Sequence, residues 1–170
     1  MKSLTTQLSQ YARYHRSKRN ILTHFFGIPL IVIAVMGLTF VPITAINQVA
    51  ITLTMVLAAL LCSYYLVLSL PLGIMMTAVL LVFYAVVAQS NAYFEAQGYW
   101  SWAIWLGVFV LGWVLQFIGH YFEGKKPAFV DDIVGLAIGP LFVLVELLFL
   151  LGFMPQLEQQ IIDQAGEYRA

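Results

Sequence analysis

Arg-Tyr-His-Arg-Ser-Lys-Arg-Asn, residues 13–20, leads directly into Ile-Leu-Thr-His-Phe-Phe-Gly-Ile-Pro-Leu-Ile-Val-Ile-Ala-Val-Met-Gly-Leu-Thr-Phe, residues 21–40. A helix needs roughly 20 apolar residues to cross about 30 Å of hydrocarbon, and Ile21–Phe40 supplies them before Pro42 closes the run. The apolar run is too long for the core of a signal peptide and no Ala-x-Ala site follows it, so a retained first span is expected. Four more apolar segments follow. Ala50–Leu70 ends at Pro71, and Leu72–Ala88 comes next. Ser101–Gly119 carries Trp102, Trp105 and Trp113, with Trp100 just before it, as interfacial anchors and packing residues. Ile133–Phe153 is interrupted by Gly135, Gly139 and Pro140, breaks that a span tolerates only where neighbouring protein satisfies the freed backbone groups.

Composition agrees with that pattern. Of 170 residues, 62% are apolar and only 9% charged, against about a quarter charged in soluble domains. The mean hydropathy is +0.89. The formal net charge is zero, which gives a nucleic-acid partner no electrostatic footing. A single cysteine, Cys62, excludes an internal disulfide and any multi-cysteine zinc site. No repeat, low-complexity segment or long linker divides the chain. The expected fold is therefore all-α: one membrane-embedded helical bundle over residues 1–170, with about five spans and a short amphipathic N-terminal helix.

Lys and Arg set the expected orientation. With five spans, Lys2, Arg13, Arg16, Lys18, Arg19, Lys125 and Lys126 fall on one side and Arg169 alone on the other, so the N-terminus and residues 120–132 are expected on the cytoplasmic side. The membrane would be the bacterial inner membrane, or the endoplasmic reticulum in a eukaryote. If the fifth segment is re-entrant at Gly139-Pro140, Arg169 rejoins the majority. Residues 3–14 place Leu4, Leu8, Tyr11, Ala12 and Tyr14 at near-helical spacing, predicting a helix lying on the cytoplasmic face. Gln156–Gln164, with Leu157, Ile161 and Ile162, is a weaker second one.

This topology gathers the three histidines. His15 precedes the first span, His24 lies near its cytoplasmic end, and His120 closes the fourth as it returns to that side. Imidazole is costly in hydrocarbon without a partner, so each needs an explanation. Glu123, Asp131 and Asp132 are the carboxylates on the same face. Gln116 and His120 are four residues apart and share a helix face, as do Asn20 and His24. His15 and His24 are nine apart, about 900° of rotation at roughly 100° per residue, which puts them on opposite faces of a straight helix. They converge only if the chain bends between them, and Ser17 or Asn20 is suited to start a new helix there.

Neutral imidazoles with one or two carboxylates suit Fe(II), Mn(II) or Zn(II). Two histidines and a carboxylate with open positions is the arrangement of non-haem iron oxygenases, and a three-histidine zinc hydrolase is equally allowed by spacing. The bland alternative makes each histidine an interfacial side chain bonded to a headgroup or carbonyl. A lipid-binding or scaffold membrane protein needs no metal. A haem electron carrier needs paired histidines, and a transporter needs more polar lining than Glu146 provides. Glu146 itself, deep in the fifth segment, is either functional, protonated, or paired with Tyr or Ser of a neighbouring helix.

The stretch Gln-Phe-Ile-Gly-His at 116–120, followed by Phe122, Glu123, Lys125, Lys126, Pro127, Ala128 and Asp131, and later by Gly152-Phe-Met-Pro155, resembles the 2-hydroxy fatty acid dioxygenases of the Mpo type. Tyr14-His15, Asn20, His24 and Pro29 are similar to that family's first motif. The resemblance implies an Fe(II)-dependent dioxygenase of fatty acid α-oxidation in phytosphingosine degradation, using O2 to convert a 2-hydroxy fatty acid into CO2 and an acid one carbon shorter. It implies His15, His24 and His120 as iron-site residues, with Glu123 and Asp131 nearby and Asp132 less firmly in the pattern. Asn20 and Gln116 would orient the site, and the acyl chain would lie among the spans. A histidine of the family's middle region has no counterpart around Gln89–Asn91, which speaks against a fourth histidine ligand.

Overall fold

The computed structural model describes residues 2–130 and 132–170, so Asp131 lies outside the described residues. The helices are α1 (Leu4–Ala12), α2 (Lys18–Leu38), α3 (Leu53–Leu68), α4 (Leu70–Ala96), α5 (Ser101–Glu123), α6 (Gly135–Leu150) and α7 (Pro155–Ala165). The strands are β1 (Pro42–Ile46) and β2 (Val49–Thr52). The chain forms two compact units: Met1–Pro29 with Gly112–Ala170, and Leu30–Leu111.

In the second unit, residues 41–49, between the first two apolar segments, form the first half of an antiparallel hairpin, with Ile46 paired to Val49. Asn47 and Gln48 both have positive φ, at 48° and 65°, the two-residue connection whose twist matches that of the strands. The hairpin is an addition to a chain that is otherwise mostly helical, as expected. Ile43, Thr44, Ile46, Val49, Ile51 and Thr52 are β-branched and favour extended backbone. Ala50 therefore pairs in β2 instead of opening a helix, and α3 begins only at Leu53, where the Thr52 hydroxyl accepts from the Met55 N–H. Trp105 is a packing residue: it is buried, its Nε1 donates to Asn91 Oδ1 at 2.8 Å, and a side chain on Gly37 would collide with its ring. Trp100 and Trp102 are exposed.

Each of the five apolar segments contains a helix, but not every one of those helices has the length of a span. Among the described residues, only α2, α4 and α5 are long and apolar enough to cross a membrane, with a fourth if α6 and α7 count together. The 16 residues of α3 rise about 24 Å, short of the hydrocarbon thickness. Between α6 and α7 the axis turns by 118°, and Gly152 and Met154 hold positive φ just before Pro155. Large apolar side chains such as Leu60, Val67, Leu81, Val82 and Val110 are exposed on the helices, the inside-out distribution of a protein solvated by lipid. This is a membrane protein built mainly of helices.

In the first unit, α1 forms as expected and is capped by Ser3, whose side chain accepts from the Thr6 N–H. Its apolar side is not free for a membrane surface. Leu8, Tyr11 and Ala12 are buried, and α1 packs against α6 and α7. The weaker tail helix is α7, which turns Leu157 and Ile161 inward. Beyond it the chain returns to the start of α2, where the Lys18 N–H donates to the Arg169 carbonyl at 2.9 Å. Arg169 thus sits beside the basic cluster, although α6 runs unbroken through Gly139 and Pro140, where the turn was expected, and the chain bends instead between Leu150 and Pro155.

Candidate metal centre

His15, His24 and His120 are all buried, and one ring nitrogen of each lies within 4.8 Å of the other two. Three local features bring them together. The first is a bend between α1 and α2. His15 N–H donates to the Ala12 carbonyl at 2.9 Å, and a fresh helix starts at Lys18, so His15 and His24 no longer share one axis. The second is the close approach of α5 to α2 at Gly119. A Cβ there would strike Thr23 Oγ1 and Asn20 Oδ1 and come within 3.2 Å of His24 Nδ1. The third is the stacking of Tyr11 on His15, with ring centroids 4.1 Å apart and planes 4° from parallel.

The tautomers follow from the backbone. His15 Nδ1 lies 2.8 Å from the Tyr11 carbonyl, and His24 Nδ1 lies 2.8 Å from the Asn20 carbonyl. A carbonyl only accepts, so both Nδ1 atoms carry hydrogen and both Nε2 atoms present bare lone pairs. Those two Nε2 atoms face each other at 3.0 Å. Two lone pairs at that distance repel, unless a proton or a metal ion sits with them. Burial, and next His24 alongside it, hold His15 well below the ordinary imidazole range, which disfavours the proton. The buried Nδ1 of His120 has no hydrogen-bond partner among the described residues. The donor set therefore fits a divalent transition-metal ion, with carbonyls orienting the imidazoles as in known metal sites. Nitrogens 3.0 Å apart leave no room for a porphyrin plane between them.

The carboxylates expected nearby divide. Among the described residues the cluster contains no carboxylate. Glu123 is buried, and its Oε2 accepts from the backbone N–H groups of Arg16 (3.0 Å) and Ser17 (2.8 Å) and from Asn20 Nδ2 (3.1 Å). Its Oε1 is taken by the Arg169 guanidinium. Glu123 thus caps the N-terminus of α2 from 106 residues away, stabilising the bend where a local Ser17 or Asn20 cap was expected. Asp132 is half exposed, pairs with Lys2 at 3.4 Å, and accepts from the Val134 N–H.

Asn20 and Gln116 are both buried. Asn20 Nδ2 also donates to the Tyr14 carbonyl at 3.1 Å, while Asn20 Oδ1 and Gln116 Nε2 have no partner among the described residues. Glu146 is paired, with a tyrosine as one of its partners. Its carboxylate lies 3.4 Å from Arg16 Nη2 and accepts from the Tyr168 hydroxyl at 3.1 Å. Arg16 also donates to the Ala12, His15 and Gly166 carbonyls and lies 4.4 Å over the Tyr168 ring.

Sequence reasoning missed Tyr11, Arg16, Tyr168 and Arg169. Tyr11 carried a usable signal, since it stands four residues before His15. Arg16 read only as one of several topology-determining charges, and nothing local marks Tyr168 or Arg169.

A membrane helical protein with a buried three-histidine centre is the class that fold and site define. The chain belongs to the 2-hydroxy-palmitic acid dioxygenase Mpo1-like family, whose pattern matches residues 1–151. It is 35% identical to the 2-hydroxy-palmitic acid dioxygenase MPO1 of Saccharomyces cerevisiae over 159 residues, covering 91% of this chain and 85% of the yeast protein. No solved structure matches it.

Proposed function

We propose that this chain is an iron(II)-dependent dioxygenase that shortens 2-hydroxy fatty acids by one carbon. The observation that carries this function is the pair of buried, bare Nε2 atoms of His15 and His24, 3.0 Å apart with His120 beside them. The family relationship selects among the metals such a set could hold, since a redox-inert zinc ion cannot reduce O2. The reaction balances without another reductant: R–CHOH–COOH and O2 give R–COOH, CO2 and H2O, the substrate surrendering the four electrons that dioxygen takes up. Iron, when bound, supplies the redox chemistry that lets O2 act on the C1–C2 bond.

The protein's own part is placement and exclusion. The Tyr11 and Asn20 carbonyls lock the His15 and His24 tautomers so that both lone pairs point inward. Tyr11 and Phe142 cover His15, at ring-centroid distances of 4.1 and 5.6 Å, and keep water from it. Lys18 and Arg19, at the start of α2, attract the substrate carboxylate to this end of the helix. The acyl chain extends among the apolar helices, with the site at the cytoplasmic edge of a bacterial inner membrane or of the endoplasmic reticulum. Asn20 and Gln116 orient the site. Asp131 is the carboxylate proposed to complete the ligand set, and Glu123 is assigned to holding the α2 N-terminus.

The test is iron analysis of the purified protein together with consumption of 2-hydroxypalmitate and O2. Stoichiometric iron and a product one carbon shorter are expected, with both lost in His120→Ala. Full iron occupancy in that variant would overturn the ligand assignment. A metal-free wild type would favour the scaffold alternative.

A further inference from the structure

The C-terminal segment 166–170 follows α7 and lies beyond the residues that match the family pattern. It is tied to residues 16–18 by backbone and side chain together. The Arg169 N–H donates to the Arg16 carbonyl at 2.7 Å, and the Arg169 carbonyl accepts from the Lys18 N–H at 2.9 Å, pairing Ser17 with Arg169 as a short parallel bridge. The Arg169 guanidinium reaches across to Glu123 Oε1 while Glu123 Oε2 holds the Arg16 and Ser17 N–H groups. One residue earlier, Tyr168 holds Glu146 and lies under the Arg16 guanidinium.

His15 immediately precedes this clamped stretch, and its ring is aimed by the chain that the clamp fixes. Segment 13–17 joins two helices and has no regular helical ladder of its own. Without the clamp, His15 is still tied to α1, by its stacking on Tyr11, its Nδ1 bond to the Tyr11 carbonyl and its N–H bond to the Ala12 carbonyl, but the chain that follows it is no longer fixed to α2 and α5. We propose that the C-terminal tail is a strap that sets metal affinity, with Arg169 and Glu123 as positioning residues that hold His15 in register with His24 and His120. This deepens the metal-centre assignment and rests on it.

The experiment measures the dissociation constant for Co(II), read from its visible ligand-field absorption, in the detergent-solubilised full chain and in Arg169→Ala, Arg169→Lys and Glu123→Gln. The Arg169 side chain is 54% exposed, so its removal leaves the core intact, and a thermal melt of each variant confirms this. Arg169→Ala is expected to weaken Co(II) binding roughly tenfold, the lower end of what removing an outer partner of a ligand costs. Arg169→Lys should restore part of the loss by keeping the charge, and Glu123→Gln should bind weakly while staying folded. Wild-type affinity in both Arg169→Ala and Glu123→Gln would refute the strap alone. Failure of the wild type to bind Co(II) would refute the metal centre and the strap together. Metal binding without turnover of the hydroxy acid would sink the proposed reaction and leave the strap standing.

Discussion

Gly119→Ala is the sharpest test of how the site is assembled, because one methyl group decides whether α5 can lie against α2. The new Cβ would land on Thr23 Oγ1 and Asn20 Oδ1 and within 3.2 Å of His24 Nδ1. None of these can swing aside cheaply. Asn20 is pinned by its bonds to the Tyr14 carbonyl and Glu123, Thr23 by its 2.7 Å bond to the Asn20 carbonyl, and His24 by its own carbonyl bond. The helices must therefore separate, at a cost near the upper end of the 1–3 kcal/mol typical of overpacking. The better helix propensity of alanine returns about 1 kcal/mol, leaving a loss of about 2 kcal/mol. For a chain of this size that corresponds to about 4–8 °C in Tm. Moving His120 with α5 should weaken metal binding about 10-fold or more. Gly107→Ala, in the same helix with nothing within 4 Å of its new Cβ, is the matched control. It should be neutral or slightly stabilising and should bind metal normally. The assay is Tm and metal affinity of both variants side by side. Equal behaviour of the two would refute the close-approach account of the centre.

The buried Arg16–Glu146 pair, with side chains 3% and 5% exposed, should show strong coupling. Glu146→Leu alone removes the carboxylate counter-charge of a buried guanidinium and should cost about 3–5 kcal/mol. The double variant Arg16→Met/Glu146→Leu should recover much of that in thermal melts, and additive effects would show that the pair does not interact. In the hairpin, Gln48 sits at φ 65°, so Gln48→Gly should stabilise the protein by about 1 kcal/mol by relieving left-handed strain. A lower Tm would argue against that turn.

Membrane class, the helical character of the apolar segments and the gathering of the histidines at one end were legible in the sequence. Each rests on a property that is nearly local: hydropathy over about twenty residues, charge asymmetry, or helical phase. Phase even demanded the bend between His15 and His24 before its cause was visible. Some local features were missed where hydropathy alone decided the reading. The hairpin was hidden because Val49–Thr52 runs into the apolar segment that follows, and period alone does not separate a short apolar strand from the start of a helix. Hydropathy also does not say where a helix ends or turns, as the chain does between α6 and α7 before Pro155.

The carboxylates show the division most clearly. Sequence placed Glu123 near the histidines and left its task open between coordinating a metal and something else. The tertiary structure engages both of its oxygens, one with the N-terminus of α2 and the other with Arg169. Glu146 changed in the same way, from a costly charge deep in an apolar segment to the partner of Arg16 and Tyr168. Sequence by itself determined which chemical groups reach one end of the helices, because the bilayer fixes depth through composition. Only the tertiary structure decided what those groups do. Hydrogen bonds between residues more than a hundred positions apart depend on how the chain returns on itself, and no window along the sequence contains that information.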